Sequence, residues 1–174
     1  MRNAQQLLTQ YAAYHRDRRN IATHFVGVPL IVFAVGVLLS AVTIVFNGVA
    51  VTAAWIVFVP VALWYLSRGF VLGLATSAVV AVLLALAQPA AAGSTAAWLA
   101  WGVGGFVVGW VIQFVGHHYE GRKPAFVDDL IGLLVGPMFV VAEWLFMIGW
   151  NRPLLQAIEA EVGPTVVRDL THPA

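Results

Sequence analysis

Histidines are the main candidates for metal binding in this 174-residue chain, because the sequence contains five of them and no cysteine. Four of the five lie in two short polar patches, with His15 and His24 near the start and His117 and His118 much later. The second patch also contains Glu120. Neutral imidazole binds iron, zinc and copper, and two or three histidines with a carboxylate suit a non-haem iron(II) centre. The two patches form such a site if the fold brings them together.

Residue spacing restricts which of these side chains can share an ion. His15 and His24 are nine residues apart and point to opposite faces of one regular helix, which has 3.6 residues per turn. A helix break is therefore predicted between them, with Asn20 as the N-cap of the second helix. His117 and Glu120 are three residues apart and share a helix face, whereas His118 points about 100° away. These spacings favour His117 and Glu120 as partners in one site.

The segments around the patches are strongly apolar. Hydrophobic residues make up 61% of the chain and charged residues 10%, whereas soluble domains contain roughly a quarter charged residues. Uncharged runs of this length are typical of transmembrane helices. A net charge of +1 without an arginine-rich patch argues against a nucleic-acid partner. The polar, basic first 20 residues do not resemble a signal peptide. The sequence predicts an all-α integral membrane helical bundle whose partner is membrane lipid.

A single domain, 1–174, with three parts is expected. Residues 1–23 contain an amphipathic surface helix, residues 24–150 contain the membrane spans, and residues 151–174 form a surface-lying tail. The apolar runs that predict the spans are 24–46, 51–66, 70–87, 98–115 and 127–150. The last run either crosses the membrane or re-enters it, because glycine, proline and an acid interrupt it. We therefore expect four or five spans.

Positive charges predict the orientation of these spans, since lysine and arginine in short loops stay cytoplasmic. Four arginines precede the first span, and Arg68, Arg122 and Lys123 lie in the loops that share its side. The loops around Asn47 and Gly93 carry no charge. The N-terminus and the metal site are thus predicted on the cytoplasmic side, of the inner membrane in a bacterium or of the endoplasmic reticulum in a eukaryote. This topology places both polar patches on one face.

Several polar residues also have explanations without chemistry. An interfacial histidine such as His118 can act as an amphipathic anchor, and His172 near the C-terminus has no evident role. Asp128 and Asp129 can cap the helix that follows them. The arginines of the first patch can bind anionic lipid or, alternatively, a substrate carboxylate. The residues considered for substrate contact are Arg16, Arg19, Asn20 and Asp128.

The two patches match a known pattern in residue type and spacing. Its members are Tyr14, His15, Asn20, His24, Gly27 and Pro29, followed by Gln113, Phe114, Gly116, His117, Glu120, Pro124, Ala125 and Asp128. Over about residues 8–143 the chain resembles the small membrane proteins that include the fungal 2-hydroxy fatty acid dioxygenase of lipid alpha-oxidation. The resemblance implies an Fe(II)-dependent enzyme that uses molecular oxygen to shorten a 2-hydroxy fatty acid by one carbon, releasing carbon dioxide.

The same resemblance implies a ligand set. His15, His24 and His117 would be iron ligands, with Glu120 as a further ligand or a nearby acid. His118 directly follows His117 where the family usually has one histidine, so His118 is an alternative ligand. Fold and site geometry transfer within a family better than substrate specificity does.

Three rival functions are considered. A di-iron desaturase needs about eight histidines and is excluded by the five present. A membrane zinc hydrolase needs only three histidines and a water, but the chain lacks the His-Glu-x-x-His motif of many such enzymes. A small transporter or membrane scaffold would use the polar patches only to hold its spans, and it needs no metal. Metal content therefore separates the dioxygenase, the zinc hydrolase and the transporter or scaffold.

Overall fold

The computed structural model of the protein describes residues 2–169, except for the side chain of Phe126. Helices make up 74% of the described residues, as the sequence predicts. In chain order the elements are α1 (Ala4–Ala12), α2 (Arg18–Ser40), β1 (Thr43–Phe46), β2 (Val49–Thr52), α3 (Ala53–Leu66), α4 (Phe70–Ala91), α5 (Thr95–Trp98), a π-helical segment (Leu99–Gly104), α6 (Gly105–Glu120), a 3₁₀ turn (Ala125–Val127), α7 (Gly132–Met147) and α8 (Arg152–Val162).

The chain divides into two compact units. The central unit is Gly27–Trp110, and the terminal unit combines Met1–Val26 with Val111–Ala174. Helices α2 and α6 each contribute to both units. All four histidines of the two polar patches belong to the terminal unit.

A β-hairpin in the central unit shortens the first predicted span. Strands β1 and β2 pair antiparallel, with Phe46 opposite Val49. Asn47 and Gly48 form the two-residue turn and have positive φ values of 48° and 82°, which is the turn that an Asn-Gly pair favours between strands. The prediction of one apolar helix over 24–46 is wrong after Ser40, because β-branched residues next to this turn favour strand pairing.

Three described helices are long and apolar enough to cross a membrane, namely Arg18–Ser40, Phe70–Ala91 and Thr95–Glu120. A fourth crossing is possible if α7 and α8 form one broken span, although they meet at an angle of 116°. Helix α3 has only 14 residues. At 1.5 Å per residue it is roughly 21 Å long and falls short of a bilayer core of about 30 Å. The structure therefore supports three or four spans, and these apolar helices fit a membrane protein.

Helix α1 packs its apolar face inside the terminal unit, against α7 and α8. Asn3 begins the helix with a capping box, in which its side chain accepts the Gln6 N–H and the Gln6 side chain accepts the Asn3 N–H. Leu7 and Leu8 are buried. A helix thus occupies Ala4–Ala12, and protein covers the side that carries Leu7 and Leu8. Its location on a membrane surface stays a prediction.

The segment after α8 runs beside the linker between α1 and α2. Helix α8 ends at Val162, as the following Gly-Pro pair predicts, and Gly163 has a φ of 81°. The Val166 N–H donates to the Arg16 carbonyl at 2.8 Å, and the Arg18 N–H donates to the Val166 carbonyl at 2.9 Å. We call residues 163–168 the C-terminal strap. Its position relative to a membrane stays a prediction, and His172 lies outside the described residues.

Candidate metal centre

The first two histidines lie on either side of a helix start. Helix α1 ends at Ala12 and α2 begins at Arg18, so His15 lies in the linker and His24 in the second turn of α2. The predicted break is confirmed. The predicted cap is wrong, because Asn20 lies inside α2. Instead, the Asp17 carboxylate caps this helix by accepting the Arg19 N–H at 2.8 Å.

Three buried histidines converge in the terminal unit. One ligand nitrogen from each of His15, His24 and His117 lies within 4.8 Å of the other two. The Nε2 atoms of His15 and His24 are 2.9 Å apart. The ring of His117 lies 4.9 Å from that of His15 and 5.3 Å from that of His24, centroid to centroid. We call these three residues the histidine triad.

Hydrogen bonds to the backbone fix the tautomers of two triad members. The Nδ1 atom of His15 lies 2.7 Å from the Tyr11 carbonyl, and that of His24 lies 2.9 Å from the Asn20 carbonyl. A carbonyl only accepts, so each Nδ1 is assigned the proton and each neutral ring points the lone pair of its Nε2 at the other. Metal-binding histidines have this arrangement.

The protonation state of His15 favours a cation between these rings. Burial, followed by the neighbouring His24 and His117, lowers the pKa of His15 well below its usual range. His15 is therefore neutral near pH 7, and its Nε2 has no proton to donate to His24. Two facing lone pairs repel unless a cation lies between them. The donor set therefore fits a divalent metal ion that accepts imidazole ligands.

Aromatic rings cover one side of the triad. The ring of Tyr11 stacks on His15 with centroids 4.2 Å apart and an angle of 4° between the planes. Phe139 of α7 contacts both rings, at 5.4 Å from His15 and 5.0 Å from Tyr11. This apolar cover keeps water from the imidazoles and strengthens electrostatic interactions at the site.

Glu120 is buried but is not a member of the triad. Its Oε2 accepts the backbone N–H groups of Arg16 at 2.9 Å and Asp17 at 2.8 Å, together with Asn20 Nδ2 at 3.2 Å. Its Oε1 accepts Arg168 Nε at 3.1 Å and lies 2.8 Å from Arg168 Nη2. The carboxylate thus fixes the linker that carries His15. In this geometry Glu120 is bonded to the linker that carries His15 and is not one of the three clustered ligand groups.

Asp17 joins the same linker to the C-terminal strap. Burial tends to raise the pKa of this carboxyl, but hydrogen bonds from the Arg19 side chain and from the backbone N–H groups of Arg168 and Arg19 outweigh it and lower the pKa to about 2. The Arg168 N–H donates to Asp17 Oδ2 at 2.8 Å. Asp17 is therefore ionised and holds the strap against the start of α2.

The four residues considered for substrate contact already have partners. The buried guanidinium of Arg16 donates to the carbonyls of Ala12, His15 and Gly163. Arg19 forms an ion pair with Asp17 and lies over the Tyr119 ring. Asn20 Nδ2 donates to the Tyr14 carbonyl as well as to Glu120.

Asp128 and His118 lie on the exposed surface. The Asp128 carboxylate accepts the Tyr14 hydroxyl at 2.7 Å and pairs with Lys123. Its neighbour Asp129 accepts the Ile131 N–H in the turn before α7. The N-cap residue of α7 is Ile131, and no side chain caps it, so the predicted capping role of the two aspartates is wrong. The structure does not bring His118 to the triad, since its ring contacts Tyr119 at the exposed end of α6.

Three buried or bonded residues around the triad received no functional role from the sequence: Gln113, which the family pattern includes, Asp17 and Arg168. Gln113 is buried on α6, four residues before His117. A signal for it exists in the sequence, because Gln113, Gly116, His117 and Glu120 occur at the i, i+3, i+4 and i+7 spacing of one helix face, and all four are buried. No local signal identifies Asp17 or Arg168, whose roles depend on contacts between distant parts of the chain.

Comparisons with known proteins identify the family of the chain. A family model described as 2-hydroxy-palmitic acid dioxygenase Mpo1-like matches residues 1–148. The 2-hydroxy-palmitic acid dioxygenase MPO1 of Saccharomyces cerevisiae (strain ATCC 204508 / S288c) is 31% identical over 156 residues, which cover 87% of this chain and 85% of that protein. No solved structure matches the chain. The matched residues contain the whole triad, and the chain belongs to the Mpo1-like family.

Proposed function

We propose that this protein is an iron(II)-dependent dioxygenase that converts a 2-hydroxy fatty acid to the acid one carbon shorter, with His15, His24 and His117 as metal ligands. The observation that carries the proposal is the buried triad, in which two imidazoles point their lone pairs at each other. The name of the yeast relative supports the reaction class. Three imidazoles without a thiolate suit iron(II), which binds nitrogen ligands and retains positions for oxygen and substrate.

The proposed reaction balances without a further reductant. A 2-hydroxy acid and one O₂ give the shortened acid, one CO₂ and one water, so both oxygen atoms are consumed in oxidising the substrate. Iron(II), when bound, supplies a centre at which oxygen and the substrate meet. The protein holds the imidazoles in one tautomer, excludes water with Tyr11 and Phe139, and fixes the linker through Glu120.

The proposal includes a membrane location. The long apolar helices suit a bilayer, where a fatty acid substrate would be dissolved, and the matching family model is named for such a substrate. Orientation follows from the distribution of lysine and arginine. The proposal puts the N-terminus and the metal site on the cytoplasmic side.

Oxygen consumption by the purified protein tests the proposal. The protein is prepared anaerobically in detergent, loaded with iron(II) and mixed with 2-hydroxypalmitate, and oxygen uptake and fatty acid products are followed together. We expect one O₂ consumed for each acid shortened by one carbon. The His117→Ala variant should lose bound iron and activity, whereas the His118→Ala variant should keep both.

Two other results would assign a different function. Retention of zinc in place of iron, with no oxygen uptake, would favour a membrane hydrolase, because three histidines also suit catalytic zinc. Failure to bind any metal would favour a transporter or scaffold. Loss of iron in His118→Ala with retention in His117→Ala would show that the triad is not the metal site.

A further inference from the structure

Gln113 is a buried amide whose hydrogen-bonding groups are unused. Its side chain is 3% exposed. Neither its Oε1 nor its Nε2 has a hydrogen-bond partner among the described residues. Buried polar atoms in native proteins are nearly always paired, so an unpaired donor and acceptor on one side chain calls for an explanation. Gln113 also lies in one of the long apolar helices, where water is scarce if the helix crosses a bilayer.

Helix geometry puts this amide on the face of α6 that carries His117. Gln113 precedes His117 by four residues, which is about one turn, so both side chains lie on the same face of α6. Gly116 brings that face against α2, since a Cβ atom there would lie 2.0 Å from Thr23 Oγ1 and 2.5 Å from Asn20 Oδ1. The Asn20 Oδ1 atom is itself buried without a partner in the described structure. The two side chains with unused polar atoms, Gln113 and Asn20, thus lie on the helices that carry His117 and His24.

The chemistry of a primary amide matches a 2-hydroxy acid. The amide NH₂ donates to a carboxylate oxygen, and the amide oxygen accepts a proton from a hydroxyl group. A 2-hydroxy carboxylate presents both partners on adjacent carbons, whereas an unsubstituted fatty acid lacks the hydroxyl donor. A site built to bond a hydroxyl rejects analogues without it, because its own buried acceptor stays unpaired.

We propose that Gln113 is a specificity-determining residue that hydrogen bonds the 2-hydroxy carboxylate end of the substrate. This inference rests on the proposed function for the identity of the substrate. It assigns to Gln113 the selection of 2-hydroxy acids over unsubstituted acids and gives it no role in holding the metal.

Equilibrium binding under anaerobic conditions tests the inference without turnover. The wild type, Gln113→Leu and Gln113→Met are loaded with iron(II), and their affinities for 2-hydroxypalmitate and palmitate are measured by titration calorimetry. We expect both variants to bind 2-hydroxypalmitate about 10 to 100 times more weakly, the loss typical of hydrogen bonds to a charged group. The ratio of the affinity for 2-hydroxypalmitate to the affinity for palmitate should fall toward one. Iron content should not change.

Gln88→Leu is the matched control, because Gln88 is a part-buried amide whose Nε2 donates to Ser40 Oγ and the Leu84 carbonyl. It should leave both affinities unchanged. Thermal unfolding of the ligand-free proteins gives a second readout. Replacing an unpaired buried amide by Met should raise the unfolding temperature, whereas replacing a structural amide should lower it.

The outcomes separate this inference from the proposed function. A wild type that prefers 2-hydroxypalmitate but consumes no oxygen, with the preference lost in the Gln113 variants, would support the inference and refute the dioxygenase. An active wild type whose Gln113 variants keep the full preference would overturn the inference alone. Loss of iron or a lower unfolding temperature in both variants would also overturn it, because Gln113 would then be structural.

Discussion

Substituting Glu120 by Gln distinguishes a positioning carboxylate from a metal ligand. Three donors reach Oε2 of Glu120, and the Arg168 guanidinium reaches Oε1. A glutamine of the same shape retains one oxygen, which we expect to face the three donors because an amide nitrogen cannot accept. Its NH₂ group then faces Arg168. The substitution therefore removes mainly the ion pair.

The size of this loss follows from the burial of the pair. The Glu120 side chain is fully buried and that of Arg168 is 28% exposed, so solvent screens the pair only in part. Hydrogen bonds to charged groups contribute about 1.5–3 kcal/mol. We expect the free energy of unfolding to fall by about 2 kcal/mol, which lowers the unfolding temperature by roughly 4–8 °C for a chain of this size. Metal affinity should fall roughly 10- to 100-fold, as when other residues that orient ligands are lost.

A double-mutant cycle measures how much the interaction between Glu120 and Arg168 contributes to stability and to metal affinity. Thermal unfolding in detergent and competition with a chelator are compared for Glu120→Gln, Arg168→Met and the double variant. The single variants should have similar effects, and the double variant should add little to either, because both remove the same pair. Glu161→Gln, on the exposed side of α8, serves as a control without effect. If Glu120→Gln eliminates metal binding while Arg168→Met keeps wild-type affinity, Glu120 is a ligand and the positioning argument is wrong.

Three further predictions follow from the site. Gly116→Ala should lower the free energy of unfolding by about 1–3 kcal/mol and weaken metal binding, because its Cβ would collide with Thr23 Oγ1. In the control Gly105→Ala the new Cβ meets only ordinary contacts. Equal unfolding temperatures for the two variants would contradict this prediction. The pKa of His15 is depressed in the folded protein, so the unfolded chain binds this proton first as the pH falls. The free energy of unfolding of the metal-free protein should be highest above pH 6.5 and decline below it. Between pH 7.5 and 5, the unfolding temperature should fall less in His15→Gln than in the wild type. Identical pH profiles of the two proteins would refute the depressed pKa of His15. Ending the chain after Val162 removes the C-terminal strap and should lower both the unfolding temperature and the metal affinity, and a chelator titration that matches the full chain would exclude a role for the strap.

Local patterns predicted much of the fold. Uncharged apolar runs predicted the long helices, and the nine-residue separation of His15 and His24 predicted the break between α1 and α2. The three histidines that the family resemblance names are the three that the structure brings together. These features depend on periodicity and spacing along one segment. The hairpin was not predicted, because its apolar, β-branched residues continue the hydrophobic run of α2. Only the Asn-Gly pair indicates the turn.

Long-range partners could not be predicted in this way. Glu120 meets Arg168 across 48 residues, and Asp17 meets the same residue across 151. Nothing in the local sequence distinguishes these arginine contacts from ordinary surface charges. The orientation of α6 about its own axis could be predicted in part. His117 and His118 are neighbours with the same chemistry, and only the face shared by Gln113, Gly116 and Glu120 indicates which of them points inward.

The C-terminal strap also sets an order of events during synthesis. The linker bearing His15 emerges from the ribosome before the strap, and the Arg168 that bonds Asp17 is made 151 residues later. At about 5–20 residues per second this delay is roughly 8–30 s. Until then Glu120 lacks its cationic partner and the linker lacks its backbone pairing with Val166. A nascent chain halted before Val166 should therefore hold the linker and its His15 less rigidly than the chain that includes the strap.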